Sequence, residues 1–286
     1  MLLTLLVPGL GQGSLWQLMG QSSSDSDPLK GKDQIFSYES YAAVLSGYVD
    51  KGGMVDYQGL KANRHKLDAF AASMKTLDPA VYESWNEQEK IALWINAYNA
   101  FTLQAIIDHY PIKASFFGSL RFPKNSIRQI SGVWDNLQFQ VMGRKLTLDD
   151  IEHRILRPEF NEPRLHMALV CAALGCPPLR NEPYLGEKLD SQLDEQSRRF
   201  LSNSEKFRIN RSKRRVYLSK IFQWYGRDFE ETHGTTQKFS EHDRSEGAVL
   251  NFLTDYLNAA DREYVETGKY RIEYLNYDWS LNEQAR

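Results

Sequence analysis

Arg164-Leu-His-Met-Ala-Leu-Val-Cys171-Ala-Ala-Leu-Gly-Cys176-Pro-Pro-Leu179 holds the only two cysteines of a 286-residue chain, and its reading decides how the rest is assembled. Leu165, Met167, Leu169 and Cys171 share one parity and His166, Ala168 and Val170 the other, an apolar run that predicts a buried strand. Ala172 to Gly175 give a small-residue turn, and Pro177-Pro178 end any further ladder pairing. Cys171 is thereby placed at a strand end facing a loop, where reactive groups gather on rigid frames. It reads either as a functional thiol or as a core cysteine, since free cysteine is among the most buried residue types.

Upstream, Leu137–Val141 and Leu146–Leu148 alternate around a Met142–Lys145 turn and predict a hairpin. Asp149 or Asp150 is expected to cap a short helix, Ile151–Arg157, stopped by Pro158. His153 sits on that helix with both aspartates one turn earlier. Asn86 with Glu89 resembles a capping box and opens the longest helical pattern, to about His109. Trp94, Tyr98, Phe101 and Ala105 form its apolar stripe. Asn96 and Asn99 lie on another face, where asparagine needs a reason to be mid-helix. Their amides either satisfy buried backbone groups or line a pocket as oxyanion donors.

Further out, helices are predicted over Ser37–Val49, Leu60–Met74, Tyr184–Leu201 and Glu246–Leu257, with a second hairpin formed by Phe207–Ile209 and Val216–Leu218. Ile221–Phe229 is an aromatic patch read as core, and Tyr274–Asn282 closes the chain as a strand and turn. Hairpins and helices occur in runs rather than strict alternation, so the fold is expected to be α+β, a small mostly antiparallel sheet flanked by helices. Residues 31–286 read as a single domain, with 31–80 a helical cap.

Acidic and basic residues nearly cancel, to a formal charge of −2, which disfavours nucleic acid as a partner. Met1–Gly11 is apolar but too short to span a bilayer and lacks a basic start, so integral membrane insertion is not expected. It reads as a degraded or truncated secretory signal. With the polar linker Gln21–Asp27 it makes 1–30 a signal remnant and linker, and a periplasmic or secreted protein the expectation. Two cysteines five positions apart are no disulfide framework, though they can pair with each other in an oxidising compartment.

Several blocks together resemble one family, the plant and bacterial domain of unknown function five-four-seven. They are Trp94-x-Asn96-x-Tyr98-Asn99-Ala100 with Thr102-Leu103, Ile151-Glu152-His153 with Leu156-Arg157, and His166-x-Ala-Leu-x-Cys171 with Gly175-Cys176-Pro-Pro-Leu179. Leu218-Ser-x-Ile-Phe222 with Trp224-Tyr225 and Asp228-Phe229, and Tyr277-Asp-Trp-Ser-Leu-Asn282, complete the set. The resemblance implies papain-like or transglutaminase-like character and a Cys-His-Glu type of site, with Cys171 as the family cysteine and Glu152 and His153 as its Glu-His pair. Adjacent helix residues point about 100° apart, so Glu152 is badly placed to orient His153. Asp149 or Asp135 is the alternative acid.

The leading expectation is a thiol-dependent hydrolase or acyl/amide-transfer enzyme acting on a peptide or small amide or ester, without a cofactor. In it Cys171 attacks a carbonyl, His153 moves the proton, and backbone N–H groups of Ala172 to Gly175 bind the oxyanion. His166 is the competing base, but on an unbroken strand it faces away from Cys171. The alternatives are a zinc site built from His153, His166, Cys171 and Cys176, and a non-catalytic binding module with a structural Cys/Asn core.

Overall fold

Asn86 fixes the start of the element that the others surround. Its side chain accepts from the Glu89 N–H at 2.9 Å and the Glu89 carboxylate accepts from the Asn86 N–H at 2.9 Å, a reciprocal cap. The helix it opens runs Glu87–His109, and every residue from 91 to 107 except Gln104 is buried. A helix apolar on all sides is a central one. The expected single stripe of Trp94, Tyr98, Phe101 and Ala105 is therefore only part of its buried surface.

The computed structural model describes residues 36–114, 116–235 and 237–285, so the expected signal remnant and linker lie outside the described residues. Phe36–Arg286 make one compact unit. Helix Glu39–Tyr48 comes first, and the expected helix over 60–74 is two, Tyr57–Ala62 and His65–Thr76. Asn63 parts them, its side chain turning back onto the Gly59 carbonyl at 3.1 Å, the local competition that makes asparagine a poor helix former.

Strands β1 (Phe139–Val141) and β2 (Arg144–Leu146) pair antiparallel around a two-residue turn, shorter than expected. Met142 and Gly143 both take positive φ, 51° and 72°, which matches the right-handed twist of a tight hairpin. Thr147, not either aspartate, begins the next helix: its N–H donates to Asp150 at 2.9 Å and its hydroxyl accepts the Asp150 N–H at 3.1 Å. Asp149 makes no capping bond. The helix winds as a π-helix over Asp150–Leu156 and continues through Arg157–Glu159, so Pro158 does not stop it.

No strand forms at Arg164–Cys171. Pro163–Met167 is a 3-10 turn started by Glu162, whose carboxylate accepts the Arg164 N–H at 3.0 Å, and residues 168–171 then follow outside any helix or strand. Its apolar run reflects burial against the central helix. A short apolar run cannot by itself separate a strand from other buried backbone.

The remaining strands form a second sheet, where the sequence suggested one in all. β3 (Phe207–Asn210) pairs antiparallel with β4 (Arg215–Leu218), and β5 (Arg271–Tyr274) adds parallel to β4. Helices Leu189–Leu201, Lys220–Tyr225 and Arg244–Thr254 pack on this sheet through a core that includes Phe200, Phe222, Phe229 and Phe252. The fold is α+β. No described helix is long and apolar enough to cross a membrane.

Candidate functional site

The central helix positions the cysteine turn through Asn99. Its Nδ2 donates to the Ala168 carbonyl at 3.0 Å and its Oδ1 accepts the Val170 N–H at 2.9 Å. The amide thus supplies the partners a sheet neighbour would have supplied. Asn96 does the same for Tyr184, donating at 2.7 Å and accepting at 2.9 Å. Both amides serve backbone groups, and neither lines the cavity shared by the cysteines.

From the other side the chain end crosses the turn. Leu174 N–H donates to the Ser280 carbonyl, Gly175 N–H to that of Asp278, and Asn282 N–H to that of Ala172. Gly175 permits the approach of Tyr277, since a Cβ there would lie 2.7 Å from its ring. Ala172 takes φ 57°, a strained value for a residue with a side chain, next to the sulfur in question. Of the expected oxyanion donors, Leu174 and Gly175 are spent on the chain end. Among the described residues no acceptor faces the N–H of Ala172 or Ala173.

Cys171 and Cys176 are joined as a disulfide with their Cα atoms 6.3 Å apart. The Tyr277 hydroxyl lies 3.3 Å from the Cys171 sulfur and 3.0 Å from that of Cys176, which also accepts the Cys171 N–H at 3.0 Å. Both cysteines line a cavity of about 690 Å³, which Glu152, His153 and His166 also line.

Glu152 is 6 % exposed and lines the cavity together with Tyr98, Tyr225 and Tyr277. Burial first, and then this carboxylate, push the phenols of Tyr98, Tyr225 and Tyr277 upward, so all three stay protonated and able to donate. Glu152 does not orient His153. His153 is exposed, its Nε2 3.8 Å from Asp149 and its Nδ1 accepting from Arg157 at 2.9 Å. Burial raises the Asp149 carboxyl, partly opposed by His153.

His166 is held far more firmly. It is 4 % exposed, its Nε2–H donates to Asp228 at 2.8 Å, and its ring stacks on Tyr225 with centroids 4.1 Å apart. Arg157 grips the same Asp228 through both carboxylate oxygens, at 2.6 and 2.8 Å. Burial raises the Asp228 carboxyl, but the Arg157 and His166 bonds outweigh it and leave it well below the usual range. Because 164–171 is not a strand, the parity that set His166 on the far side from Cys171 does not apply, and both line one cavity.

The sequence marked Asp228 and Tyr277 only as members of motif blocks. Nothing local tied Asp228 to His166, 62 positions away, or Tyr277 to the cysteines. Residues 82–201 match the family described as Protein of unknown function, DUF547. The DUF547 segment contains Asn96, Asn99, Glu152, His153, His166 and both cysteines, and it ends before Asp228 and Tyr277. No curated protein and no solved structure matches the chain. Among the described residues no three His, Cys, Asp or Glu side chains cluster closely enough to hold a metal ion, so the zinc reading gains no ligand set.

Proposed function

We propose that the protein is a thiol-dependent hydrolase or acyl/amide-transfer enzyme whose nucleophile is Cys171 with the disulfide open. The observation that carries this reading is the convergence of the Cys171 sulfur, the Asp228-bound imidazole of His166 and the buried carboxylate of Glu152 on one cavity. Asp228 fixes the His166 proton on Nε2 and leaves the Nδ1 lone pair to take a proton, as the acid of a catalytic triad does. His153, the base the family resemblance implied, has its Nδ1 lone pair engaged by Arg157, which makes it the second candidate.

In the reaction the Cys171 thiolate attacks the carbonyl carbon of a peptide or small amide or ester. The oxyanion is met by the Tyr277 hydroxyl, which lines the cavity beside the Cys171 sulfur. The imidazolium returns its proton to the leaving group, and water or an amine then resolves the thioester. Glu152 acts through its charge, which helps keep the phenols of Tyr98, Tyr225 and Tyr277 protonated.

The test is alkylation of the dithiol-reduced native protein across pH, with the modified cysteine mapped. Cys171 should react with an apparent pKa below about 8.5, the free-thiol value, and His166→Ala should return it there while His153→Ala moves it less. A reduced Cys171 that reacts only after unfolding would sink the enzyme reading. It would leave a binding module, for which the exposed Trp224 on the cavity rim, 47 % accessible, is the specific support.

A further inference from the structure

Cys176 has no necessary part in acyl transfer from Cys171, yet its sulfur is bonded to that of Cys171 and accepts the Cys171 N–H. We propose that Cys171 and Cys176 are a redox-active pair that exchanges with thiols entering the cavity, Cys171 being the sulfur attacked, Cys176 the sulfur expelled and Tyr277 the donor that steadies it.

Three observations carry this. Both cysteines line the same open cavity, with Cys171 partly exposed and Cys176 only 4 % exposed, so an incoming thiolate meets Cys171 first. The expelled Cys176 thiolate has two donors already in place, the Cys171 N–H at 3.0 Å and the Tyr277 hydroxyl at 3.0 Å, whereas Cys171 has Tyr277 alone at 3.3 Å. A leaving thiol whose anion is stabilised leaves faster. Finally, the turn is anchored by bonds that involve neither sulfur. Asn99 holds 168–170, the chain end holds Leu174 and Gly175, and Lys206 donates to the Leu174 carbonyl. The open and closed pairs therefore share one frame.

The exchange balances as follows. A thiolate RS⁻ bonds to the Cys171 sulfur, and the bond to Cys176 breaks with its electron pair going to Cys176, which leaves a mixed disulfide. A second RS⁻ attacks the R-bearing sulfur, releasing RSSR and the Cys171 thiolate. Two thiols lose two electrons and the protein disulfide gains them, the thiol protons passing to solvent. In reverse, Cys176 attacks the mixed disulfide at Cys171 and expels RS⁻. The exchange stands without the acyl-transfer reading, and it decides when Cys171 is available for that chemistry.

The test uses the full chain in glutathione redox buffers without denaturant, quenched by alkylation and read by mass spectrometry. The native pair should reach a ratio of dithiol to disulfide that follows the buffer. Cys176→Ser should trap glutathione on Cys171, and Cys171→Ser should trap it on Cys176 at least about tenfold more slowly, because that sulfur is covered. Tyr277→Phe should slow reduction of the native pair roughly tenfold, the loss of one hydrogen bond to a charged group. A disulfide that opens only in denaturant, or equal trapping by the two serine variants, would overturn the proposal even if Tyr277→Phe fails to fold. Exchange that persists while reduced Cys171 gives no thioester with an acylating ester removes acyl transfer alone, and a native disulfide that resists thiols while the chain reduced in denaturant and refolded still forms a thioester on Cys171 removes this proposal alone.

Discussion

Asp228 is the residue on which the charged part of the site turns. Two cationic or proton-donating partners, Arg157 and His166, bond to its two oxygens, and His166 is otherwise enclosed by Tyr225 and Phe229. A carboxyl whose folded pKa is depressed binds protons less readily in the native state than in the unfolded chain. Its stabilising contribution is thus present above the unfolded value, about 3.9, and is lost as pH falls below it toward the folded one. Asp228→Asn should remove that contribution. Urea midpoints measured between pH 6 and pH 3 should fall less steeply for the variant than for the parent chain, and parallel curves would show that the carboxylate is not what holds the pair. The sequence supplied each of these residues inside a motif block. It could not supply the pairing, because an ion pair across 62 positions leaves no periodic or compositional trace.

At the scale of elements, the central helix shows what sequence can and cannot convey. Its start was legible from Asn86 and Glu89 because a capping box is local chemistry. The two hairpins were legible for the same reason, each carrying a turn signal between alternating residues. The two mid-helix asparagines were legible as an anomaly, and the structure resolves it on the side of backbone satisfaction. The segment they serve, Arg164–Cys171, was misread as a strand because burial alone had produced its apolar pattern, and the misreading displaced His166 from the site. Asn99 accounts for how a segment outside any helix or strand survives in the interior. Asn99→Ala would leave the Ala168 carbonyl and the Val170 N–H buried without partners. At about 1–3 kcal/mol for each of the two groups, the variant should lose roughly 2–6 kcal/mol in denaturant unfolding. Asn99→Ala with a loss below about 0.5 kcal/mol would mean that other groups can hold this segment.

Across the whole molecule, distant parts of the chain meet at Asn282. Its side chain accepts from the Tyr57 hydroxyl at 2.6 Å and donates to the Gly53 carbonyl at 3.4 Å, while its backbone donates to Ala172 at 3.2 Å and accepts from Val55 at 2.9 Å. One buried residue near the chain's end therefore joins the segment after the first helix to the cysteine turn. The sequence placed Asn282 in a terminal motif block and read the segment as a strand and turn, but its partners lie more than 100 residues away. Asn282→Ala keeps the backbone bonds and removes only the amide, leaving the buried Tyr57 hydroxyl without its acceptor. The expected loss is about 1–3 kcal/mol. Its distribution is the sharper readout. If Asn282 couples these segments, native-state hydrogen exchange should quicken together at the N–H groups of Val55, Leu174 and Gly175, while amides of the β3–β4 hairpin keep their protection. Faster exchange at Val55 alone would show that the amide serves only the N-terminal segment, and that the cysteine turn is held by Asn99 and the Tyr277 side of the chain end without it.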